Sequence, residues 1–148
     1  MMPAEKKSTD LIDEISKFTI HANSWWDPNG SFAPLHKINP PRLQFLLKHL
    51  CQHFQLDQSK PNPLEGLKII DIGCGGGLLC EPLCRLGASV TGIDAGLENI
   101  TIAKQHSESK DLSITYKQAT PEELPSNTCF DAVISLEVIE HVKNLTSF

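Results

Sequence analysis

Apolar residues recur three or four positions apart in the first 56 residues, which is the spacing of amphipathic helices. One helix is predicted to begin near Asp10, a good N-cap, with an apolar stripe of Leu11, Ile15, Phe18, Ala22 and Trp25 or Trp26. Another is predicted to begin at Pro40 with Asn39 as its N-cap, and its stripe comprises Leu43, Leu46, Leu47, Leu50 and Phe54. The segment His21–Leu43 holds four prolines and both tryptophans, so we expect neither a helix nor a strand to run through it.

The pattern changes after a polar, proline-broken linker at 57–66. Short apolar runs then predict four strands at 67–72, 89–93, 113–117 and 129–135. Helical stretches separate them at 78–86 and 97–109, and a further helix is predicted to open with "LEVIEHV" after the fourth strand. Strands alternating with helices indicate parallel βαβ units with right-handed crossovers, and hence an α/β fold. The predicted organisation is an N-terminal helical segment at 1–56, the linker, and an α/β domain at 67–148.

Composition and charge narrow the class of protein. The 148 residues carry a net charge of −5, which argues against a nucleic-acid-binding surface. No apolar run approaches the roughly 20 residues that a membrane-spanning helix needs. The first residues, "MMPAEKKSTDLIDEI", lack the features of a signal or transit peptide, so no targeting segment is predicted there. Five cysteines without a C-x-x-C pair predict free thiols in a reducing compartment.

The strongest chemical signal is the glycine-rich stretch "IIDIGCGGG" at the end of the first predicted strand. Glycines there allow a ligand to approach the backbone closely, and Asp94, at the tip of the second strand, can accept hydrogen bonds from ribose hydroxyls. Together they predict a site for a nucleoside-containing cofactor. The dinucleotide pattern G-x-G-x-x-G fails, because Leu78 or Cys80 occupies the third glycine position. A nicotinamide cofactor and a plain tight turn beside a surface aspartate are the alternatives.

A second candidate site lies in "SLEVIEHV", where Glu137, Glu140 and His141 would share one face of the predicted helix. Two carboxylates and an imidazole on one face suit a hard divalent cation such as Mg²⁺. The alternative is a solvated polar face near a helix N-terminus.

Four segments carry a resemblance to a known family: "WWDPNGSFAPLHKINPPRL", "DIGCGGGLL", "GASVTGIDA" and "EVIEHV". They closely resemble the 3-demethylubiquinone / polyprenyl-hydroxyphenol O-methyltransferase family of ubiquinone biosynthesis, within the class I S-adenosylmethionine-dependent methyltransferases. The resemblance implies methyl transfer to ring hydroxyls of polyprenylated phenols or catechols. It implies cofactor contacts by Arg42, Gly73, Asp94 and Leu136, and Mg²⁺ at Glu137, Glu140 and His141. The tryptophan-rich segment would then be a lid whose indoles form a dry wall over the cofactor.

The resemblance also implies a Rossmann-like sandwich with strand order 3-2-1-4. The family fold continues with a fifth strand and an antiparallel hairpin, so we expect the fourth strand here to be an open edge and the acceptor pocket to be incomplete. Thr120 stands where related enzymes often carry an aspartate near the adenine. A truncated, non-catalytic cofactor-binding fragment, or an inactive partner in a biosynthetic complex, is the competing function. The resemblance is compatible with peripheral membrane association, and with a bacterial cytoplasmic location or the matrix face of the mitochondrial inner membrane.

Overall fold

The computed structural model describes residues 12–13 and 24–148. The elements, in chain order, are α1 (Ala33–Phe54), β1 (Lys68–Ile72), α2 (Cys80–Arg85), β2 (Ser89–Asp94), α3 (Leu97–Ser109), β3 (Thr115–Gln118) and β4 (Ala132–Ser135). Two short 3₁₀ turns, Pro121–Glu123 and Ile139–His141, flank β4 in the chain. The helix predicted from Asp10 falls mostly outside the described residues. At its predicted end, Trp25 and Trp26 lie in a turn, which the Asp27 N–H closes on the Ser24 carbonyl at 3.1 Å.

The four strands form one parallel sheet in the order β3-β2-β1-β4, which confirms the predicted α/β architecture and strand order. β1 lies inside the sheet, and its residues from Ile69 to Ile72 are all buried. β4 lies at an edge of the sheet and is shorter than predicted. Its Ile134 is buried, whereas Val133 is 63% exposed, as an edge strand allows.

The hydrophobic cluster on one face of the sheet joins α1 to the strands. The apolar stripe of α1 packs against fully buried residues that include Leu64, Ile69 and Leu83. Leu64 belongs to the predicted polar linker, yet none of its surface is exposed and its N–H donates to the Leu86 carbonyl at 2.9 Å. The linker therefore contributes to the core, and the division of the chain at 57–66 stays a prediction.

The start of α1 differs from the prediction. The helix begins at Ala33, seven residues before Pro40, and runs through Pro40 and Pro41. Pro34 lies in its first turn, where a missing N–H costs no helical hydrogen bond. Asn39 therefore lies inside the helix, whose N-cap is Phe32, and its Nδ2 donates to the Leu78 carbonyl at 2.8 Å. This contact ties the first half of α1 to the end of the chain segment between β1 and α2.

All five cysteines of the chain lie within the described residues, and all five are free thiols, as predicted. Across the part of the chain that the structure describes, we find no helix with the length and apolar character needed to span a membrane.

Candidate functional site

A cavity of about 580 Å³ opens at the carboxyl ends of β1, β2 and β4. Crevices at this end of a parallel sheet, where the strand order reverses, are the usual ligand sites of open α/β folds. The size of the cavity lies within the range of small-molecule sites. Residues 73–75 of the glycine-rich segment 73–77 (the glycine loop) line the cavity, together with Trp25, Phe32 and Arg42.

The glycine loop owes its shape to backbone conformations that other residues rarely adopt. Gly73 and Gly77 have φ of 73° and 90°. The N–H groups of Gly73 and Cys74 both donate to the Ile93 carbonyl, at 2.8 and 2.9 Å. These bonds fix the loop to the end of β2, so the two predicted halves of the site are held together by the backbone itself.

Asp94 lies at the end of β2 with its carboxylate oriented by three N–H donors. Oδ2 accepts from the Gly75 N–H at 3.0 Å, and Oδ1 accepts from the Gly96 N–H at 2.8 Å and from Asn99 Nδ2 at 3.1 Å. A carboxylate has about four acceptor positions, so capacity remains for a ligand hydroxyl. The structure therefore brings Gly73 and Asp94 to the same cavity, as the sequence predicted.

Asp71 is a buried acid in β1, two residues before the glycine loop, and it lines the cavity. Burial raises the pKa of its carboxyl from an ordinary value of 3.8 to about 7, and the negative charge of Asp94 adds to the rise. A hydrogen bond from Cys80 Sγ to Asp71 Oδ2, at 3.5 Å, opposes it. Near neutral pH this carboxyl is thus shared between its protonated and ionised forms.

Both tryptophans dock on the site through their indole N–H groups. Trp25 Nε1 donates to Asn99 Oδ1 at 2.9 Å, and its ring stacks on Phe32 with centroids 3.7 Å apart. Trp26 Nε1 donates to the Gly76 carbonyl at 2.9 Å, and its ring stacks on His106. Trp25 is 8% exposed and lines the cavity, whereas its predicted role as part of a lid over a cofactor stays a prediction.

Arg42 and Leu136 also line the cavity. The start of α1 places Arg42 within the helix and not in its first turn, where it had been predicted. Its Nη2 donates to the Glu137 carboxylate. Arg42 therefore already has a carboxylate partner from this chain, at the rim of the cavity.

The helix predicted to open with "LEVIEHV" is not formed, and this prediction was wrong. Glu137 has φ of 58°, a left-handed conformation that interrupts a helix, and only Ile139–His141 form a 3₁₀ turn. Glu137, Glu140 and His141 consequently do not share a helix face. Within residues 12–13 and 24–148, no three His, Cys, Asp or Glu side chains form a group able to hold a metal ion.

The sequence analysis missed two polar groups beneath the tryptophans. Asn99 is 2% exposed and links Trp25 to Asp94. Glu81, which is fully buried, accepts from Arg85 Nη2 at 3.2 Å and lies 2.5 Å from His106 Nδ1. A glutamate and an asparagine on amphipathic helices look like surface residues in a sequence pattern, so only the tertiary contacts reveal them.

Comparison with known proteins adds three findings. A sequence model of the family described as "Methyltransferase domain" matches residues 70–148. A "Ubiquinone biosynthesis O-methyltransferase" from Paramagnetospirillum magneticum is 49% identical over 92% of this chain and 55% of its own length. The protein of the same name from Brucella ovis is 47% identical over 99% of this chain and 60% of its own length. The chain thus spans little more than half of these curated relatives.

Among solved structures, magnesium protoporphyrin IX methyltransferase (ChlM) from Synechocystis PCC 6803, crystallised with bound SAM, matches with a TM-score of 0.70. The match covers 90% of this chain and 64% of that one, at 22% sequence identity. At this level of identity the likeness concerns the fold alone.

Proposed function

The chain belongs to the methyltransferase domain family, and on that premise we propose that it binds S-adenosylmethionine and transfers its methyl group to a phenolic oxygen of a ubiquinone precursor. The acceptor class follows the names of the relatives that are 47–49% identical to this chain. Polyprenylated phenols and catechols are the substrates that the resemblance implied.

The observation that carries this proposal is the position of Asp94 beside the glycine loop. An oriented carboxylate at the tip of β2 suits the ribose of a nucleoside cofactor, and the loop allows the remainder to approach the backbone. The missing third glycine of the dinucleotide pattern favours S-adenosylmethionine over NAD. The residues present therefore fit this cofactor.

Arg42, which also lines the cavity, is proposed to bind the carboxylate of the methionine moiety. A guanidinium offers five N–H donors, so it can pair with Glu137 and a ligand carboxylate together. Leu136, at the end of β4, would contact the cofactor through its backbone. These two residues and Asp94 would fix the cofactor at its polar ends.

When bound, S-adenosylmethionine supplies a methyl group on a sulfonium, which an oxygen nucleophile attacks in line. The chain contributes binding and orientation, which can lower the barrier by several kcal/mol when reacting atoms are held in near-attack geometry. Trp25 and Phe32, stacked on each other, supply apolar surface on the lining of the cavity. Asp94 and the glycine loop hold the nucleoside end, so the reactive end is oriented by the same rigid elements.

A role for Mg²⁺ rests on the resemblance alone. In the described conformation Glu137 pairs with Arg42 and the motif forms no ligand group, so the proposed mechanism contains no metal-dependent step. Association with a membrane surface or a biosynthetic complex, and the bacterial or mitochondrial location, likewise remain predictions.

Transfer of a labelled methyl group from S-adenosylmethionine to a polyprenylated catechol tests the proposal. We expect label on the ring oxygen, and less label with Asp94→Ala. Cofactor binding without transfer would favour the non-catalytic fragment. Binding of NAD in preference to S-adenosylmethionine would contradict the cofactor class.

A further inference from the structure

A buried hydrogen-bond chain connects the tryptophan-rich segment to the acid of the cofactor site. Trp25 Nε1 donates to Asn99 Oδ1 at 2.9 Å, and Asn99 Nδ2 donates to Asp94 Oδ1 at 3.1 Å. The segment and the acid are 69 positions apart in the chain, and Asn99 is the side chain that bridges them. It is only 2% exposed, so its two bonds are shielded from water.

The chemistry of the partners fixes the orientation of the Asn99 amide. An indole N–H can only donate, and an ionised carboxylate can only accept. The reverse orientation would place N–H against N–H and oxygen against carboxylate. Asn99 can therefore serve both partners in one orientation only, and the loss of Trp25 would leave a buried acceptor unpaired.

Trp25 also packs closely on the glycine loop. A Cβ added at Gly75 would lie 2.4 Å from Trp25 Cη2, and one added at Gly76 would lie 2.4 Å from Trp25 Cγ. Trp25 thus contacts both elements proposed to hold the cofactor: the loop directly, and Asp94 through Asn99.

We propose that Asn99 is a positioning residue that couples the docking of Trp25 to the orientation of the Asp94 carboxylate, so that the tryptophan segment and S-adenosylmethionine bind cooperatively. This inference rests on the proposed function. Coupling between two sites is reciprocal, so the cofactor stabilises the docked segment to the same extent that the segment strengthens cofactor binding.

A double-mutant cycle on the affinity for S-adenosylhomocysteine, the stable product of the reaction, tests the coupling. Trp25→Phe keeps an aromatic ring but removes the indole N–H, and Asn99→Leu removes the amide at similar volume. We expect each substitution to weaken binding by about 5- to 20-fold, the usual effect of one lost hydrogen bond that orients a charged group. The double variant should bind S-adenosylhomocysteine no more weakly than the weaker-binding single variant, because both changes break the same hydrogen-bond chain.

Trp26→Phe is the matched control, because it makes the same change one residue later. The Trp26 indole N–H donates to the Gly76 carbonyl and not to Asn99. The fold losses in affinity for S-adenosylhomocysteine caused by Trp26→Phe and Asn99→Leu should multiply in the double variant, to within about twofold. Should Asn99→Leu fail to fold, Asn99→Ala replaces it, since it removes the hydrogen bonds to Trp25 and Asp94 without adding a charge or a larger apolar side chain.

A spectroscopic measurement separates positioning from simple stability. Trp26→Phe leaves Trp25 as the single tryptophan of the chain, so its emission reports the docking of the segment. We expect S-adenosylhomocysteine to shift this emission, and the shift to disappear in Asn99→Leu at a temperature at which the unliganded variant is still folded.

The outcomes distinguish the inference from the proposed function. Binding by the unsubstituted chain with additive effects of Trp25→Phe and Asn99→Leu would overturn the inference alone. No binding of S-adenosylhomocysteine by the unsubstituted chain would overturn both.

Discussion

Substitution of Asp71 by asparagine should change how the stability of this protein depends on pH. Asp71 is 4% exposed and lies in β1, two residues before the glycine loop, where burial raises the pKa of its carboxyl to about 7. The nearby charge of Asp94 adds to this rise, and the hydrogen bond from Cys80 opposes it. Asparagine has nearly the same shape and cannot ionise, so it removes the titration while keeping the packing.

The magnitude follows from the shift in pKa between the unfolded and folded states. An unfolded aspartate at 3.8 and a folded one at about 7 differ by roughly 4 kcal/mol in the free energy of ionisation. Between these values the folded state binds more protons than the unfolded state, so stability falls as pH rises from about 4 to 7. Below pH 4 both states are protonated, and the penalty is absent.

Urea unfolding of the wild type and Asp71→Asn, at intervals from pH 4 to 8, measures this effect. We expect the free energy of unfolding of Asp71→Asn, relative to wild type, to increase with pH by a few kcal/mol and to level off above pH 7. Asp111→Asn makes the same substitution at an exposed position and controls for its intrinsic effect. A difference between wild type and Asp71→Asn that does not vary with pH would refute the argument that Asp71 is buried with a raised pKa.

Three further predictions concern packing and the rim of the site. Leu64→Ala should lower the free energy of unfolding by about 2–5 kcal/mol, measured by urea unfolding, because the side chain is fully buried; a smaller loss would contradict the shared core. Gly76→Ala should displace Trp25, whose Cγ would lie 2.4 Å from the new Cβ, and shift tryptophan emission to the red; unchanged emission would contradict the docking. Glu137→Gln should change stability by no more than about 1 kcal/mol in the same unfolding assay, since Glu137 is 59% exposed, and a larger loss would contradict a surface ion pair with Arg42.

The sheet was predictable because its signals are local. Buried parallel strands need continuous apolar runs such as "LKIIDI", and the strand order followed from the resemblance that the sequence carries. The start of α1 was not predictable in this way. Asn39 looks like an N-cap in sequence, but its amide is used by the Leu78 carbonyl, a contact between residues 39 positions apart.

The difference between local signals and contacts of distant residues also explains what could be predicted of the candidate site. Gly73 and Asp94 were identified because each follows a strand at a position whose geometry is fixed by the fold. The helix predicted around Glu137 does not form, because that residue adopts a left-handed backbone conformation. Glu137 pairs with Arg42, 95 positions away, and a local sequence pattern does not reveal such a contact. Asn99 carried no signal in sequence, since its role depends on Trp25 and Asp94 both approaching it in space.

Calorimetric titration of S-adenosylmethionine into the wild type and Asp94→Ala tests the central claim most directly. We expect measurable binding to the wild type and a loss of roughly 1.5–3 kcal/mol in Asp94→Ala, the usual contribution of hydrogen bonds to a charged group. Thermal unfolding of both unliganded proteins verifies that the variant is folded at the temperature of the titration. Equal affinity of the two folded proteins for S-adenosylmethionine would contradict the assignment of Asp94 and the glycine loop as the cofactor site.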